Sequence, residues 1–252
     1  MFWNSKNKVE NIFDDVIFKP VGDTGLFIEI GQEITETINS KVHAITNLVE
    51  NQNLPFIEEI IPAYSSLLIN FDPLKISFDS LIQWLKSIEI QPTIQNKKSR
   101  VVMIPTLYGG EFGPDLQSVA DYNNLTIDQV IEFHSSTKYL IYALGFSPGF
   151  PYLGGLPSEI HCPRLSDPRT QVPAGSVGIA DSQTGIYSMP TPGGWRLIGK
   201  TPLNLFDQES SSPTIFSPGD YLQFVPLSSE NDYCEIKKLV LSRNFTVEVQ
   251  IS

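Results

Sequence analysis

Residues 176–206 read SVGIADSQTGIYSMPTPGGWRLIGKTPLNLF, and this stretch decides the fold class. Its short apolar runs, SVGIA, GIYSM, WRLIG and PLNLF, are separated by glycine, proline and polar residues, with no helical spacing. The wider segment 145–219 holds 11 of the 17 glycines and 11 of the 19 prolines. Such interrupted strands are typical of a closed antiparallel β-barrel, whose long loops are able to line a cleft.

The first 95 residues have a different pattern. Two short strands are predicted in FKPVGDTGLFIEIG, on either side of a turn, and ETINSKVHAITNLVE has one apolar face at helical spacing. The strands IEEIIP and SSLLINFD and a helix capped by Ser77 complete the order ββαββα. We therefore expect a small α+β domain over 1–95, a linker TIQNKKSR over 93–100, and a barrel domain over 100–252.

The barrel half is predicted to open with a strand, VVMIP, and then to contain a helix before the strand-rich segment. Thr126 and Gln129 have the spacing of a capping box at the start of that helix. The overall prediction is an α+β protein that ends in a β-barrel.

Composition excludes several classes of partner. Seventeen basic and 28 acidic residues give a net charge of −11, which disfavours nucleic acid and anionic membranes. The first fifteen residues lack the apolar core of a signal peptide, and no run reaches the ~20 apolar residues of a membrane span. A cytoplasmic location is predicted. His43, His134 and His161 share no metal-ligand spacing, so no metal is predicted in this chain.

Residues 194–201, GWRLIGKT, fit the spacing of the phosphate-binding Walker loop. A functional loop of this kind follows a buried strand and leads directly into a helix. Here SMPTPGG precedes the match, bulky Trp195 and Ile198 lie inside it, and Pro202 disfavours a helix after it. We predict that this segment does not bind ATP.

Residues 145–149, GFSPG, fit the nucleophile elbow of serine hydrolases, with Ser147 as the nucleophile. In that elbow the next residue donates its backbone N–H to the oxyanion, and a helix follows. Pro148 has no N–H, and Pro151 stands three residues further on. Ser147 is therefore predicted not to be a nucleophile.

Polar and aromatic side chains gather between the glycines and prolines of 163–202, with the chemistry needed to hold a small acid or amide. Arg169 and Trp195 are predicted to face a ligand. The alternative is that Asp167 and Arg169 pair locally and that Trp195 belongs to the core. His134 has two interpretations as well, a role at the mouth of the barrel or a non-functional place, either solvated or with its hydrogen bonds satisfied in the core. The segment's functional side chains are Arg164, Arg169, Gln183, Thr184, Tyr187, Trp195 and Arg196.

Five strings together resemble one protein family. They are YGGEFGPDL (108–116), GFSPGFPYLGGLP (145–157), PRTQVPAGSVGIA (168–180), TGIY (184–187) and PGGWRLIGKTPLNLFD (192–207). The family contains the B component of bacterial ATP-dependent 5-oxoprolinase (PxpB), the kinase inhibitor KipI and allophanate hydrolase subunit 1. The resemblance implies a small α+β domain followed by a cyclophilin-like barrel, as the residue patterns also indicate.

The resemblance implies a subunit that works with a C-type and an A-type partner to cleave 5-oxo-L-proline to L-glutamate at the expense of ATP. Two alternatives remain, a KipI-like inhibitor of a sensor histidine kinase and a carboxyltransferase component acting on an amide such as urea. Ser188, Gln171 and the His161–Cys162 pair depart from the family pattern. The family's motif positions imply substrate-binding roles for His134, Phe150, Tyr152, Arg164, Arg169, Gln183, Thr184, Tyr187, Trp195 and Arg196.

Overall fold

A computed structural model describes residues 12–88, except residue 14, and residues 100–251. Most of the predicted linker and most of the first fifteen residues lie outside this part of the chain. The chain divides into two compact units, residues 1–97 and 98–252. No helix within the described ranges has both the length and the apolar character needed to cross a membrane.

The first unit has the predicted order ββαββα. Its strands form one antiparallel sheet in the order β1-β2-β4-β3. Thr35 and Ser77 cap the two helices by accepting hydrogen bonds from the backbone N–H of Ile38 and Ser80. The core of the unit lies between the sheet and the helices and includes Leu26, Ile45 and Leu81. The elements are β1 (Ile17–Val21), β2 (Gly25–Glu29), α1 (Glu36–Glu50), β3 (Ile57–Pro62), β4 (Ser66–Phe71) and α2 (Phe78–Ser87).

The second unit is a nearly closed barrel. Seven of its strands form the path β10-β9-β12-β5-β13-β6-β7, β14 pairs with β5, and the two ends of the path, β10 and β7, lie against each other. A separate two-stranded ribbon joins β8 and β11. The strands are β5 (Arg100–Tyr108), β6 (Lys138–Leu144), β7 (Pro151–Gly154), β8 (Arg169–Val172), β9 (Ser176–Ala180), β10 (Gln183–Ile186), β11 (Thr191–Gly193), β12 (Arg196–Lys200), β13 (Tyr221–Pro226) and β14 (Val249–Ile251).

Three α-helices accompany the barrel in the described part of the chain, α3 (Leu116–Asn123), α4 (Ile127–Ser136) and α5 (Glu230–Leu241), together with one 3₁₀ turn at Ser158–Ile160. The capping box predicted for α4 is confirmed, because the side chain of Thr126 accepts from the backbone of Gln129 while the Gln129 side chain accepts from the backbone of Thr126. The core inside the barrel includes Ile104, Val177 and Ile198. The predicted fold class, an α+β domain followed by a cyclophilin-like barrel, is confirmed.

Three details differ from the sequence-based expectation. Strands β5 and β13 run parallel, whereas the remaining strand pairs of the described barrel are antiparallel. The run PLNLF is not a strand, since only an isolated bridge joins Phe206 to Thr214. Helix α5 was not among the predicted elements.

Candidate functional site

A cavity of about 290 Å³ lies in the second unit. Side chains alternate across a β-strand, so neighbours on β10 and β12 face opposite sides of the barrel wall. Ile186 of β10 and Ile198 of β12 pack into the barrel core, whereas Tyr187, which directly follows β10, and Leu197 form a separate apolar cluster with Val172. The cavity therefore belongs to the outer face of the barrel wall, on the side of that second cluster. It is lined by Phe146, Phe150, Tyr152, Arg164, Gln183, Tyr187, Pro192, Gly193, Gly194 and Trp195.

Phe150 is the centre of the aromatic wall. Its ring meets those of Phe146, Tyr152, Tyr187 and Trp195 edge to face, with centroids 5.5, 5.4, 6.0 and 6.0 Å away. Edge-to-face contacts of this kind stabilise one another and fix the orientation of the rings. The cavity thus has flat, preformed apolar walls.

Two glycines make room for these rings. A Cβ at position 185 would lie 3.0 Å from the Trp195 ring and 3.1 Å from the Phe150 ring. A Cβ at position 193 would lie 2.3 Å from the hydroxyl of Tyr187. Gly185 and Gly193 are therefore required by the shape of the cavity.

The polar groups of the cavity are few. The Arg164 side chain is 57% exposed and its Nε lies 3.4 Å from the Asp181 carboxylate, which leaves guanidinium N–H groups available at the rim. Burial raises the pKa of Tyr187, against the opposing effects of a hydrogen bond with the Trp195 backbone and the charges of Arg164 and Arg169. Tyr187 is consequently a neutral phenol at physiological pH.

The cavity contains binding groups without a general base. Its described lining has no carboxylate, histidine, cysteine or lysine side chain. Arginine keeps its proton at all ordinary pH values, and Tyr187 has a raised pKa. The described lining therefore consists of flat apolar walls and a few polar groups, a composition suited to holding a small ligand.

The structure brings together six of the ten predicted site residues: Phe150, Tyr152, Arg164, Gln183, Tyr187 and Trp195. The other four lie outside the cavity lining. Arg169 donates to Oδ1 of Asp115 at 2.9 Å, and Arg196 donates to the Pro163 carbonyl and the Ser118 hydroxyl, each at 2.9 Å. Both guanidinium groups thus hold loops in place.

His134 and Thr184 lie in a buried hydrogen-bonded chain inside the barrel. His134 Nδ1 is 2.7 Å from the Tyr108 hydroxyl and Nε2 is 2.8 Å from the Thr184 hydroxyl, which donates to the Gly178 carbonyl at 3.0 Å. A hydroxyl has one hydrogen, so Thr184 must accept from Nε2–H, and Nδ1 must accept from Tyr108. Burial lowers the pKa of His134 to about 3, which keeps the imidazole neutral. Of its two interpretations, the structure supports the core one.

Asp115 is a structural residue that the sequence motifs did not single out. Its Oδ1 accepts from Arg169, and its Oδ2 accepts from the backbone N–H of Leu197 at 2.7 Å. These bonds attach the loop before α3 to the ribbon and to β12, next to Trp195. The string YGGEFGPDL offered a signal for this residue, because Asp115 follows a Gly-Pro pair, a pattern typical of a turn.

The two misleading motifs adopt other structures. Residues 196–200 of the Walker-like match form strand β12, and residues 201–229, which follow it directly, contain no helix. Ser147 lies in a turn followed by strand β7, and its hydroxyl is 3.0 Å from that of Ser188. Among the described residues, no group of three or more His, Cys, Asp or Glu side chains is placed to hold a metal ion.

The fold and the site define a class of protein with a nearly closed barrel and a small aromatic cavity on its outer wall, and comparison with known proteins specifies the family. The chain belongs to the family described as carboxyltransferase domain, subdomain C and D, whose model matches residues 16–216. The resemblance inferred from the sequence motifs is thereby confirmed. The chain is similar to the 5-oxoprolinase B component of Bacillus subtilis, with 43% identity over 86% of this chain and 95% of that protein.

Solved structures show the same fold. The crystal structure of TTHA0988 matches with a TM-score of 0.73 and 33% identity, covering 81% of this chain and 40% of that chain. The urea amidolyase of K. lactis matches with a TM-score of 0.77 over 98% of this chain and 17% of that chain. At 22% identity, the second likeness shows a shared fold alone. This chain spans less than half of both larger proteins.

Proposed function

We propose that this chain is the B component of an ATP-dependent 5-oxoprolinase and that its outer-wall cavity binds the cyclic amide acid 5-oxo-L-proline. The observation that carries the proposal is the 43% identity to a 5-oxoprolinase B component over 95% of its length. The cavity agrees with that role. Its volume of about 290 Å³ is at the small end of ligand sites, as a single-ring substrate requires.

The polar groups of the cavity match the polar groups of 5-oxoproline. In the proposed complex, the exposed guanidinium of Arg164 pairs with the substrate carboxylate, and the amide of Gln183 pairs with the lactam. Phe150 and Trp195 provide flat walls for the ring. Because the described lining has no general base, a C-type partner supplies the reacting groups and an A-type partner completes the ATP-dependent cleavage.

Reconstitution tests the proposal. The isolated chain is expected to be inactive, whereas a complex with A- and C-type subunits should form glutamate and ADP in proportion to added 5-oxo-L-proline. Trp195→Ala should raise the apparent KM of the complex, and Trp195→Phe, which keeps a flat wall, should restore much of the affinity. A complex that forms neither glutamate nor ADP when 5-oxo-L-proline is added would refute the proposal.

Carboxyl transfer to an amide is the second candidate, because the family model is named for a carboxyltransferase domain. The same preparation therefore needs a second assay, with urea, carboxybiotin and the C-type partner. Consumption of carboxybiotin that depends on urea, without turnover of 5-oxoproline, would favour this alternative.

A further inference from the structure

Phe146 combines two features, a strained backbone and an exposed apolar ring, neither of which stabilises the fold. Its backbone has φ of +64°, in the left-handed region that side chains other than glycine rarely adopt. Its side chain is also 65% exposed, although it is fully apolar. Glycine or asparagine would suit this turn better, so the conformation of Phe146 calls for a functional explanation.

The surrounding turn holds Phe146 in this conformation. The backbone N–H of Phe150 donates to the Ser147 carbonyl at 3.0 Å, and the hydroxyls of Ser147 and Ser188 are 3.0 Å apart. Gly149 closes the turn with φ of +77°, where a Cβ would meet the backbone of Leu205 at 3.0 Å. The turn is therefore fastened at both ends, and Phe146 has little freedom to relax.

The ring of Phe146 lies against the cavity. It forms part of the cavity lining and meets Phe150 edge to face at 5.5 Å and 70°. One side of the residue thus contacts the aromatic wall, while most of the side chain remains open to solvent. Such a ring is placed to cover an additional flat group that enters the cavity.

We infer that Phe146 is a ligand-contacting residue that covers the ring of the bound substrate, and that the left-handed turn exists to hold it there. This inference rests on the proposed function, with 5-oxo-L-proline as the ligand. Phe146 contributes binding and specificity for a flat five-membered ring, and it takes no part in proton transfer.

Two substitutions separate the ring from the backbone strain. Phe146→Ala removes the ring and keeps the strain, whereas Phe146→Gly removes both. In the reconstituted complex, both variants should raise the KM for 5-oxo-L-proline by about three- to tenfold with little change in kcat. The isolated glycine variant should melt about 2–4 °C above the alanine variant.

Two controls complete the experiment. Phe146→Tyr keeps a flat ring and should retain the KM of the original chain. Tyr122→Ala removes another exposed ring, 58% exposed on α3, and should leave KM unchanged.

The outcomes distinguish the two proposals. If the unsubstituted complex does not turn over 5-oxoproline, the proposed function fails, and the ligand role of Phe146 fails with it. If that complex is active and both Phe146 variants keep its KM, only the role of Phe146 is refuted. Weakened assembly with the C-type partner at unchanged KM would refute it too, by assigning Phe146 to the partner interface.

Discussion

Buried His134 should lower the free energy of unfolding of this protein as the pH falls. The loss should begin at a higher pH than the loss caused by protonation of the carboxylates. The folded protein holds the pKa of His134 at about 3, against an ordinary value of 6.5. Between these values the unfolded chain binds a proton that the folded chain does not bind. Protonation therefore favours unfolding, and the contribution of His134 to stability declines as pH falls below about 6.5.

The size of this effect follows from the difference between the two pKa values. Each pH unit below 6.5 costs about 1.4 kcal/mol, so lowering the pH from 7 to 5 should cost about 2 kcal/mol. For a cooperative unit of this size, that corresponds to a decrease in melting temperature of about 4–8 °C. Carboxylates also begin to titrate near pH 5, but their effect cancels when two variants are compared.

The test compares the original protein with His134→Gln, which can accept from Tyr108 and donate to Thr184 but does not titrate. The melting temperature is measured by calorimetry at several pH values from 7 to 5. Between these pH values it should fall about 4–8 °C less for the glutamine variant than for the original protein. Phe216→Leu is the control, since it truncates another buried ring of the barrel core, which lowers stability, and keeps the rings of Tyr139 and Phe224 that pack against the imidazole. Equal slopes for the original protein and His134→Gln would refute the neutral, buried histidine.

Three further predictions concern the other polar residues. Ser147→Ala should leave turnover of the reconstituted complex within a few-fold, because the Ser147 hydroxyl lies against the hydroxyl of Ser188; a loss of ~10⁴ would show that it is a nucleophile. The isolated chain should bind no ATP through strand β12, and Lys200→Ala should leave its nucleotide affinity, measured by equilibrium titration, unchanged. Tight ATP binding that Lys200→Ala abolishes would show that this segment is a phosphate-binding loop after all. Asp115→Asn and Arg169→Ala should be non-additive in denaturant unfolding, with a coupling of about 0.5–3 kcal/mol, and additivity would show that the ion pair at 2.9 Å is unimportant.

The local parts of the fold were predictable from the sequence. Helix α1, the capping box of α4 and the first four strands depend on spacing within a few residues. Helix α5 carried a readable signal as well, with Ser229 as its cap and Tyr233, Ile236 and Val240 at helical spacing. PLNLF has strand-like alternation, yet Pro202 and the surrounding loop leave it without a ladder.

Long-range pairings could not be predicted in the same way. Arg169 was expected either to face a ligand or to pair with nearby Asp167, but its partner is Asp115, 54 residues away. The hydrogen bond between His134 and Thr184 joins residues that are 50 positions apart in the sequence. Such contacts depend on how strands from distant parts of the chain meet in the barrel, and side-chain chemistry alone does not specify that meeting.

Strand β10 explains why the predicted substrate-binding residues include both residues that line the cavity and residues buried in the barrel. Gln183 and Thr184 are adjacent in sequence, yet one lines the cavity and the other bonds to His134 inside the barrel. Alternation along a strand makes this outcome necessary, since neighbouring side chains point to opposite faces. The buried hydrogen bonds that run from Tyr108 through His134 and Thr184 to Gly178 join β10 to β9 inside the barrel. They thereby hold in place the part of the barrel wall from which Gln183 and Tyr187 reach the cavity. A one-residue slip of β10 would exchange the two faces and lose both the cavity and the buried chain. His134 therefore belongs to the hydrogen-bonded group that holds β10 in this register.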